Sequence, residues 1–187
     1  VTRNAGGLRQ QGVEFDFKSM TTNNLMLALN GVFLDSEFTS FTAAAALPGI
    51  SGVQDLTGQS AHFSPEWSLS GVAEYTDSVP GAANLDWFAR GEWSYAGEQN
   101  ISGRTNQNPN TVRNALDLAN FRVGISSDEG WRFTAYVENA FDEAYCQTNL
   151  EQVAAGSLGV RDGAGGTLLR CPLGAPRTWG VKLNYDF

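Results

Sequence analysis

The sequence predicts an all-β protein, built as an antiparallel up-and-down meander of about seven long strands. Hydrophobic and polar residues alternate over stretches that reach about twelve to fourteen residues, well beyond the usual length of globular strands. The connections between these stretches alternate between short and long. Tryptophan and tyrosine lie on the hydrophobic rows, towards the ends of the stretches.

The strands are expected at residues 8–18, 25–38, 66–76, 85–98, 118–126, 131–145 and 178–187. The first two alternate through GVEFDFK and LMLALNGVF, and the next two through EWSLSGVAEYT and LDWFARGEWSYAGE. In the fifth, FRVGIS alternates, although the preceding TVRNALDLANF could also begin a helix. WRFTAYVENAFDEAY and TWGVKLNYDF complete the series, each with one hydrophobic and one polar row.

The connections separate into two classes. Short turns are expected at 20–24, 77–84 and 127–130, and long loops at 39–64, 98–112 and 146–176. Antiparallel pairing of successive strands would place the short turns at one rim of the sheet and the long loops at the other. Outer-membrane β-barrels have this arrangement, with aromatic girdles at both interfaces.

The two rows of each strand indicate two solvents. Aromatic residues on the hydrophobic rows are predicted to lie at the membrane interface: Trp67, Tyr75, Trp87, Trp93, Tyr95, Trp131, Trp179 and Tyr185. Charged residues on the polar rows are predicted to line a wet lumen: Glu14, Asp16, Lys18, Glu74, Asp86, Arg90, Glu92, Arg122, Arg132 and Glu138. The alternative is a soluble sandwich whose aromatic rows form a closed core.

Composition narrows the function classes. The 187 residues carry a net charge of −8, which argues against binding to a nucleic-acid backbone. Hydrophobic residues make up 42% and charged residues 17% of the chain. No apolar run reaches the roughly 18 residues of a membrane helix. The polar start, without methionine or signal peptide, favours a mature product or a fragment of a longer chain.

Residues for catalysis or metal binding are few, so no enzyme activity and no cofactor is predicted. His62 is the single histidine and has no second histidine or nearby cysteine to complete a metal site. No serine lies in a Gly-x-Ser-x-Gly elbow. The glycine-rich RDGAGG at 161–166 is expected to be a flexible loop, and Asp142 and Glu143 are expected to fix a strand end.

Four stretches resemble TonB-dependent outer-membrane receptors. VENAFDEAY (137–145) is similar to the family's Asn-x-Phe-Asp-x-x-Tyr, and PRTWGVKLNYDF (176–187) resembles its last strand. NAGGLRQQGVEFDF (4–17) is similar to the segment in which a Gly-Val-Glu opens a long barrel strand. DLTGQSAHFSPEWSLSGVAEY (55–75) resembles the family's Asp-Leu-x-Gly followed by a proline and a strand. Their order and spacing agree across most of the chain.

The resemblance implies a place in a larger molecule. Receptors of this family resemble barrels of 22 strands plugged by an N-terminal domain, so residues 1–187 are expected to be a C-terminal segment of the barrel, without the plug and the upstream strands. The implied function is energy-coupled import of a scarce ligand, namely a ferric siderophore, a cobalamin-like compound or a glycan. A soluble or surface β-domain that binds a partner is the alternative.

The same resemblance implies a location and partners. The location is the outer membrane of a Gram-negative bacterium. The partners are outer-membrane lipid, the barrel-assembly machinery, the TonB energy-coupling complex acting through the plug, and a small transported ligand. Within this resemblance the last strand carries the assembly signal, at Thr178, Gly180, Leu183, Tyr185 and Phe187.

Cys146 and Cys171 bracket the last long loop. If the sixth and seventh strands are antiparallel neighbours, the two cysteines come close together at one rim. The cell exterior is oxidising, which favours a disulfide there. It would close about 24 residues and contribute roughly 3 kcal/mol in the chain-entropy model.

Overall fold

In the computed structural model, residues 6–47, 51–103, 105–152 and 168–186 are described. Seven long strands form the main sheet, and the other strands are short pieces in the long connections. The elements in chain order are β1 (Gly7–Met20), β2 (Leu25–Ser40), β3 (Ala44–Ala45), β4 (Val53–Gln54), β5 (Trp67–Val79), β6 (Ala82–Ala96), β7 (Gln99–Asn100), a 3₁₀ turn (Pro109–Thr111), β8 (Val112–Arg113), β9 (Leu116–Ser127), β10 (Trp131–Glu138), β11 (Leu150–Gln152), β12 (Leu168–Arg170) and β13 (Thr178–Tyr185).

The main sheet confirms the predicted meander. Each long strand pairs antiparallel with the next long strand along the chain, in the spatial order β1-β2-β5-β6-β9-β10-β13. The short turns therefore lie at one rim, here called the short-turn rim, and the long connections at the opposite long-loop rim. The turn between β5 and β6 is tighter than the predicted 77–84, because pairing continues past a bulge to Val79–Ala82 and leaves Pro80 and Gly81 as the turn. Gly81 has a φ of 81°, which glycine adopts without steric cost.

The sixth strand ends earlier than predicted. Strand β10 stops at Glu138 instead of continuing to residue 145. Asn139 and Asp142 have φ angles of 48° and 57°, a left-handed conformation that interrupts a strand. Asn139 closes the resulting turn by donating to Glu143 O at 2.9 Å and accepting from Glu143 N at 2.9 Å.

The helix considered at TVRNALDLANF does not form. Pro109–Thr111 makes one 3₁₀ turn, capped by the Asn108 side chain, and the chain then extends through β8 into β9. No helix in the described part of the chain is both long and apolar enough to cross a membrane.

The registers place all the hydrophobic rows on one face of the sheet, called the apolar face, and all the polar rows on the other, called the polar face. One row of cross-strand neighbours on the apolar face contains Ala73, Gly91, Phe121, Val137 and Trp179. Its members are not closed into a core: Trp179 is 79% exposed and Phe121 is 46% exposed. The soluble-sandwich alternative requires these rows to be buried, and they are not.

The buried hydrophobic side chains lie mostly at the long-loop rim. Phe38, Phe41, Ala44 and Leu56 form one cluster, in which the rings of Phe38 and Phe41 are 5.0 Å apart. The segment DLTG positions Leu56 in this cluster, because Leu56 N donates to Phe41 O and Gly58 N donates to Phe38 O. The Asp-Leu-x-Gly motif therefore anchors the first long loop against β2.

The Asp55 carboxylate closes the turn in this motif. Its Oδ1 accepts a hydrogen bond from Thr57 N at 2.9 Å. Hydrogen bonding by Thr57, first through its side chain and then through its backbone, lowers the pKa of Asp55. The turn thus favours an ionised Asp55.

Candidate functional site

The eight aromatic residues predicted at the membrane interface fall into two groups on the apolar face. Four lie towards the long-loop rim and four towards the short-turn rim. The first group is Trp67, Trp93, Tyr95 and Trp179, and the second is Tyr75, Trp87, Trp131 and Tyr185. From Trp87 to Tyr95, strand β6 rises about 27 Å at ~3.4 Å per residue, close to the height of the apolar band of a barrel.

Aromatic contacts reinforce both groups. At the long-loop rim the rings of Phe33 and Trp67 are 5.0 Å apart, and Trp93 Nε1 donates to Asp117 Oδ1 at 2.9 Å. At the short-turn rim the rings of Tyr75 and Trp87 are 5.3 Å apart. Each group presents large hydrophobic rings that carry one polar atom, which suits the boundary between hydrocarbon and water.

All ten predicted lumen charges lie on the polar face, and five of them form one chain of ion pairs across four strands. Arg90 contacts Glu74 at 2.9 Å and Glu92 at 2.7 Å. Arg122 contacts Glu92 and, at 3.4 Å, Glu138. Arg90 and Arg122 are direct cross-strand partners. Because like charges directly opposite are destabilising, the bridging Glu92 is what makes this pairing tolerable.

The other predicted lumen charges have different surroundings. Arg132 lies over the ring of Phe88, with its guanidinium carbon 5.7 Å from the ring centre. Asp86 accepts a hydrogen bond from Ser78 at 2.9 Å. Glu14, Asp16 and Lys18 lie on β1 and form no ion pair within the described part of the chain.

A depression of about 500 Å³ lies over the polar face, and both ends of the ion-pair chain reach it. Its lining includes Arg132, Tyr136, Lys182 and Asn184 besides every ion-paired residue of the chain except Glu92. Lys182 is absent from the lumen charges predicted from sequence, although it lies on a polar row between Val181 and Leu183. The alternation of the last strand was the signal that could have assigned it.

A polar cluster absent from the sequence predictions lies at the long-loop end of the apolar face. Arg9 contacts Glu37 at 2.9 Å and Asp35 at 3.5 Å, and Gln11 donates to Asp35 at 3.0 Å. These residues continue the rows of Val13 and Phe33 beyond the hydrophobic band. The charged groups of this cluster therefore lie beyond the hydrophobic band.

Asn139 ties three segments together below the last long loop. It is buried, its backbone N donates to Asn120 Oδ1 at 2.9 Å, and its Nδ2 donates to Ala175 O at 3.0 Å. Asp142 adds a second connection by accepting from Arg177 N at 2.9 Å. The family-like Asn-x-Phe-Asp motif thus joins β9 and β10 to the segment that enters β13. Asp142 fixes this strand end, whereas Glu143 contributes through its backbone.

The structure joins Cys146 and Cys171 in a disulfide whose Cα atoms are 5.2 Å apart. Backbone hydrogen bonds flank the bridge, from Gln147 N to Pro172 O and from Gly174 N to Tyr145 O, both at 2.9 Å. The two cysteines therefore lie on paired extended segments at the long-loop rim. The glycine-rich stretch at 161–166 lies outside the described residues.

The predicted assembly-signal residues lie on β13, which forms one edge of the sheet. Thr178 and Gly180 are on the polar face, and Leu183 and Tyr185 are on the apolar face. The Tyr136 side chain lies over Gly180, so that a Cβ added there would be 2.7 Å from Tyr136 Oη. Phe187 lies outside the described residues.

Within the described segments, no group of three or more His, Cys, Asp or Glu side chains could hold a metal ion. His62 lies in the first long loop, where its backbone oxygen accepts a hydrogen bond from Ser64.

An exposed aromatic-flanked band on one face and ion-paired charges on the other are the features of a section of barrel wall. No protein-family model matches the chain. In sequence it matches no curated protein.

In structure, the chain is similar to the ferric yersiniabactin uptake receptor FyuA from Yersinia pestis, with a TM-score of 0.71 and 18% sequence identity. The match covers 98% of this chain and 24% of that receptor, so the chain spans about a quarter of the receptor's length. The chain therefore has the fold of a section of that receptor, in agreement with the fold expected from the sequence motifs.

Proposed function

We propose that the chain is part of the wall of an outer-membrane, TonB-dependent receptor that imports a scarce ligand. The observation that carries this proposal is the difference between the two faces of the sheet. The apolar face exposes a continuous hydrophobic band between two aromatic groups, and the polar face holds a chain of five ion-paired side chains. Lipid against the apolar face would cover the exposed hydrophobic band, and water against the polar face would solvate the ion-paired side chains.

The classes of transported ligand are proposed from the sequence resemblance to TonB-dependent receptors and from the structural similarity to a siderophore receptor. A ferric siderophore is the first candidate, and a cobalamin-like compound or a glycan are the others. The three long connections would contribute to binding, together with parts of the receptor outside this chain. Import would require the TonB complex acting through a plug domain, and the barrel-assembly machinery would insert the wall into the Gram-negative outer membrane.

Tryptophan fluorescence tests the membrane assignment. All five tryptophans, Trp67, Trp87, Trp93, Trp131 and Trp179, lie on the apolar face. In phospholipid vesicles, brominated acyl chains should therefore quench most of the emission, whereas aqueous acrylamide should quench little. Strong quenching by acrylamide together with none by brominated lipid would contradict the assignment.

Transport itself is tested in cells. Deleting the gene of the complete receptor should abolish uptake of one radiolabelled ligand among ferric siderophores, cobalamin and glycans. A plasmid copy of the gene should restore it. Unchanged uptake of all three classes would contradict the importer proposal even if the chain inserts into membranes.

A further inference from the structure

A second cavity, of about 450 Å³, lies among the loops at the long-loop rim, between residues 110–116 and 143–149. Its lining includes Arg113, Asn114, Glu143, Tyr145 and Asn149. The cavity is separate from the depression over the polar face, and none of these residues belongs to the ion-pair chain there.

Arg113 differs from the ion-paired arginines of the chain. Arg9, Arg90, Arg122 and Arg177 each have a carboxylate partner. Arg113 is half-buried, forms no ion pair with any residue that the structure describes, and its buried Nε has no hydrogen-bond partner there. Burial lowers the pKa of Arg113, and Tyr145 opposes this effect. A guanidinium nevertheless stays charged in a protein, so an anion bound in the cavity would lower the cost of burying it without a counter-charge.

The backbone around the cavity is held in place before any ligand binds. Arg113 lies on β8, which pairs with β7, and Ile101 N donates to Thr111 O at 2.9 Å. Asn149 N donates to Ile101 O at 2.8 Å, and Ile101 and Thr111 are almost completely buried. The disulfide at Cys146 fixes the opposite wall. Little ordering would therefore be required on binding.

The chemistry of the lining favours a small carboxylate. The terminal Nη1–H and Nη2–H of arginine form a planar pair of donors that matches the two oxygens of a carboxylate. Tyr145 provides an aromatic wall beside Arg113. The Glu143 side chain is exposed and lines the same cavity without pairing to Arg113, so it would repel ligands that carry several negative charges.

We propose that Arg113 anchors the carboxylate of a small, singly charged ligand in this loop cavity. The inference deepens the proposed receptor function, since it assigns a chemical class to part of the imported ligand. Arg113 supplies the paired donors, Tyr145 packs against the body of the ligand, and Glu143 limits its charge.

The test uses benzoate as the probe and benzamide as its neutral control. In the ¹⁵N-labelled chain in detergent micelles, the Nε–H resonance of Arg113 is identified by its loss in Arg113→Lys. Benzoate should shift this resonance saturably and bind about tenfold or more tightly than benzamide, as expected for a charged hydrogen bond. A response to benzamide equal to that to benzoate, or no saturable shift, would overturn the proposal.

Three variants complete the test. Arg113→Gln should weaken benzoate binding at least about tenfold, whereas Arg9→Gln, which removes the same charge elsewhere at the same rim, should leave it unchanged. Glu143→Gln should tighten it. Equal weakening by the two arginine variants would show a nonspecific charge effect and overturn the proposal. If Arg113→Gln fails to fold, the proposal is decided by the benzoate titration of the wild-type Arg113 resonance, which Arg113→Lys assigns.

Inorganic phosphate distinguishes a planar carboxylate site from a general anion site. Phosphate should bind more weakly than benzoate, and equal or tighter binding would overturn the carboxylate assignment. Failure of these experiments is distinguishable from failure of the receptor proposal. If benzoate does not bind but brominated lipid still quenches tryptophan emission, only the proposed carboxylate site at Arg113 is overturned.

Discussion

Gly180 shows how one residue of the last strand determines packing on the polar face. The Tyr136 ring of the neighbouring strand lies across the position where a side chain would be, with Cζ 2.9 Å and Oη 2.7 Å from an added Cβ. An alanine there must displace the ring, because real Cβ contacts do not come this close. The glycine of the predicted assembly signal therefore has a packing role between β10 and β13.

We predict that Gly180→Ala lowers the free energy of unfolding by about 1 kcal/mol or more, as overpacking does. Urea unfolding in detergent measures this change. Gly71→Ala is the matched control, because its Cβ would lie 3.6 Å from Trp93, an ordinary contact. In a Tyr136→Ala background, Gly180→Ala should cost nothing further. Equal destabilisation by the two glycine variants in the wild-type background would contradict this account.

At the scale of elements, the disulfide acts on the connection between β10 and β13. It links residues 25 positions apart, next to a pair of antiparallel backbone segments. A double variant, Cys146→Ser with Cys171→Ser, should therefore lose roughly 3 kcal/mol of stability in the chain-entropy model while keeping the seven-stranded sheet. Urea unfolding and far-ultraviolet circular dichroism measure the two effects.

Thiol blocking followed by mass spectrometry provides the control for this prediction. The oxidised chain should incorporate no blocking reagent before reduction and two equivalents afterwards, because the sequence has two cysteines. Incorporation of reagent before reduction would show that the bridge is not formed in solution.

Strand β13 forms one edge of the main sheet, and its outer side is unpaired in the described part of this chain. Alternating residues along an unpaired edge can add to another strand in a fixed register. We expect deletion of Phe187 from the complete receptor to lower its assembled level in outer membranes. Heat-modifiable mobility on gels measures the assembled form, and deletion of one residue within 161–166 is the control. An unchanged assembled level would argue against a role for Phe187.

At the scale of the whole molecule, the two faces of the wall should respond differently to the same charge. Val123 is 54% exposed on the apolar face, within the hydrophobic band. Val123→Arg should destabilise the inserted protein by about 2–4 kcal/mol if that position is near the bilayer midplane. Ser94→Arg, on the polar face of the adjacent strand, should cost much less. Reversible unfolding from vesicles compares the two, and equal costs would contradict the assignment of lipid and water.

The positions of the strands were predictable because side chains alternate between the two faces of a pleated strand with a period of two. For the same reason, the hydrophobic and polar rows of each long strand were assigned correctly. The predicted lumen charges came from the same alternation, and Arg90, Glu92 and Arg122 do share one face. Their mutual contacts were not predictable, since they depend on register. Glu92 bridges two arginines only because β6 and β9 pair Arg90 with Arg122.

The end of β10 was predicted incorrectly because VENAFDEAY continues to alternate in sequence. Only the left-handed backbone of Asn139 and Asp142, stabilised by contacts to residues 120, 175 and 177, shows the turn. Arg113 was overlooked for a related reason. Nothing in its sequence neighbourhood indicates that residues 143–149 enclose it in a cavity.

The sequence by itself determined the all-β class, the two rows of every long strand and the division into short turns and long loops, because these follow from local alternation and composition. Only the tertiary structure decided the register, and with it the ion-pair chain, the covering of Gly180 by Tyr136 and the cavity around Arg113. These features join residues far apart in the chain, and their contacts exist only after the strands have paired.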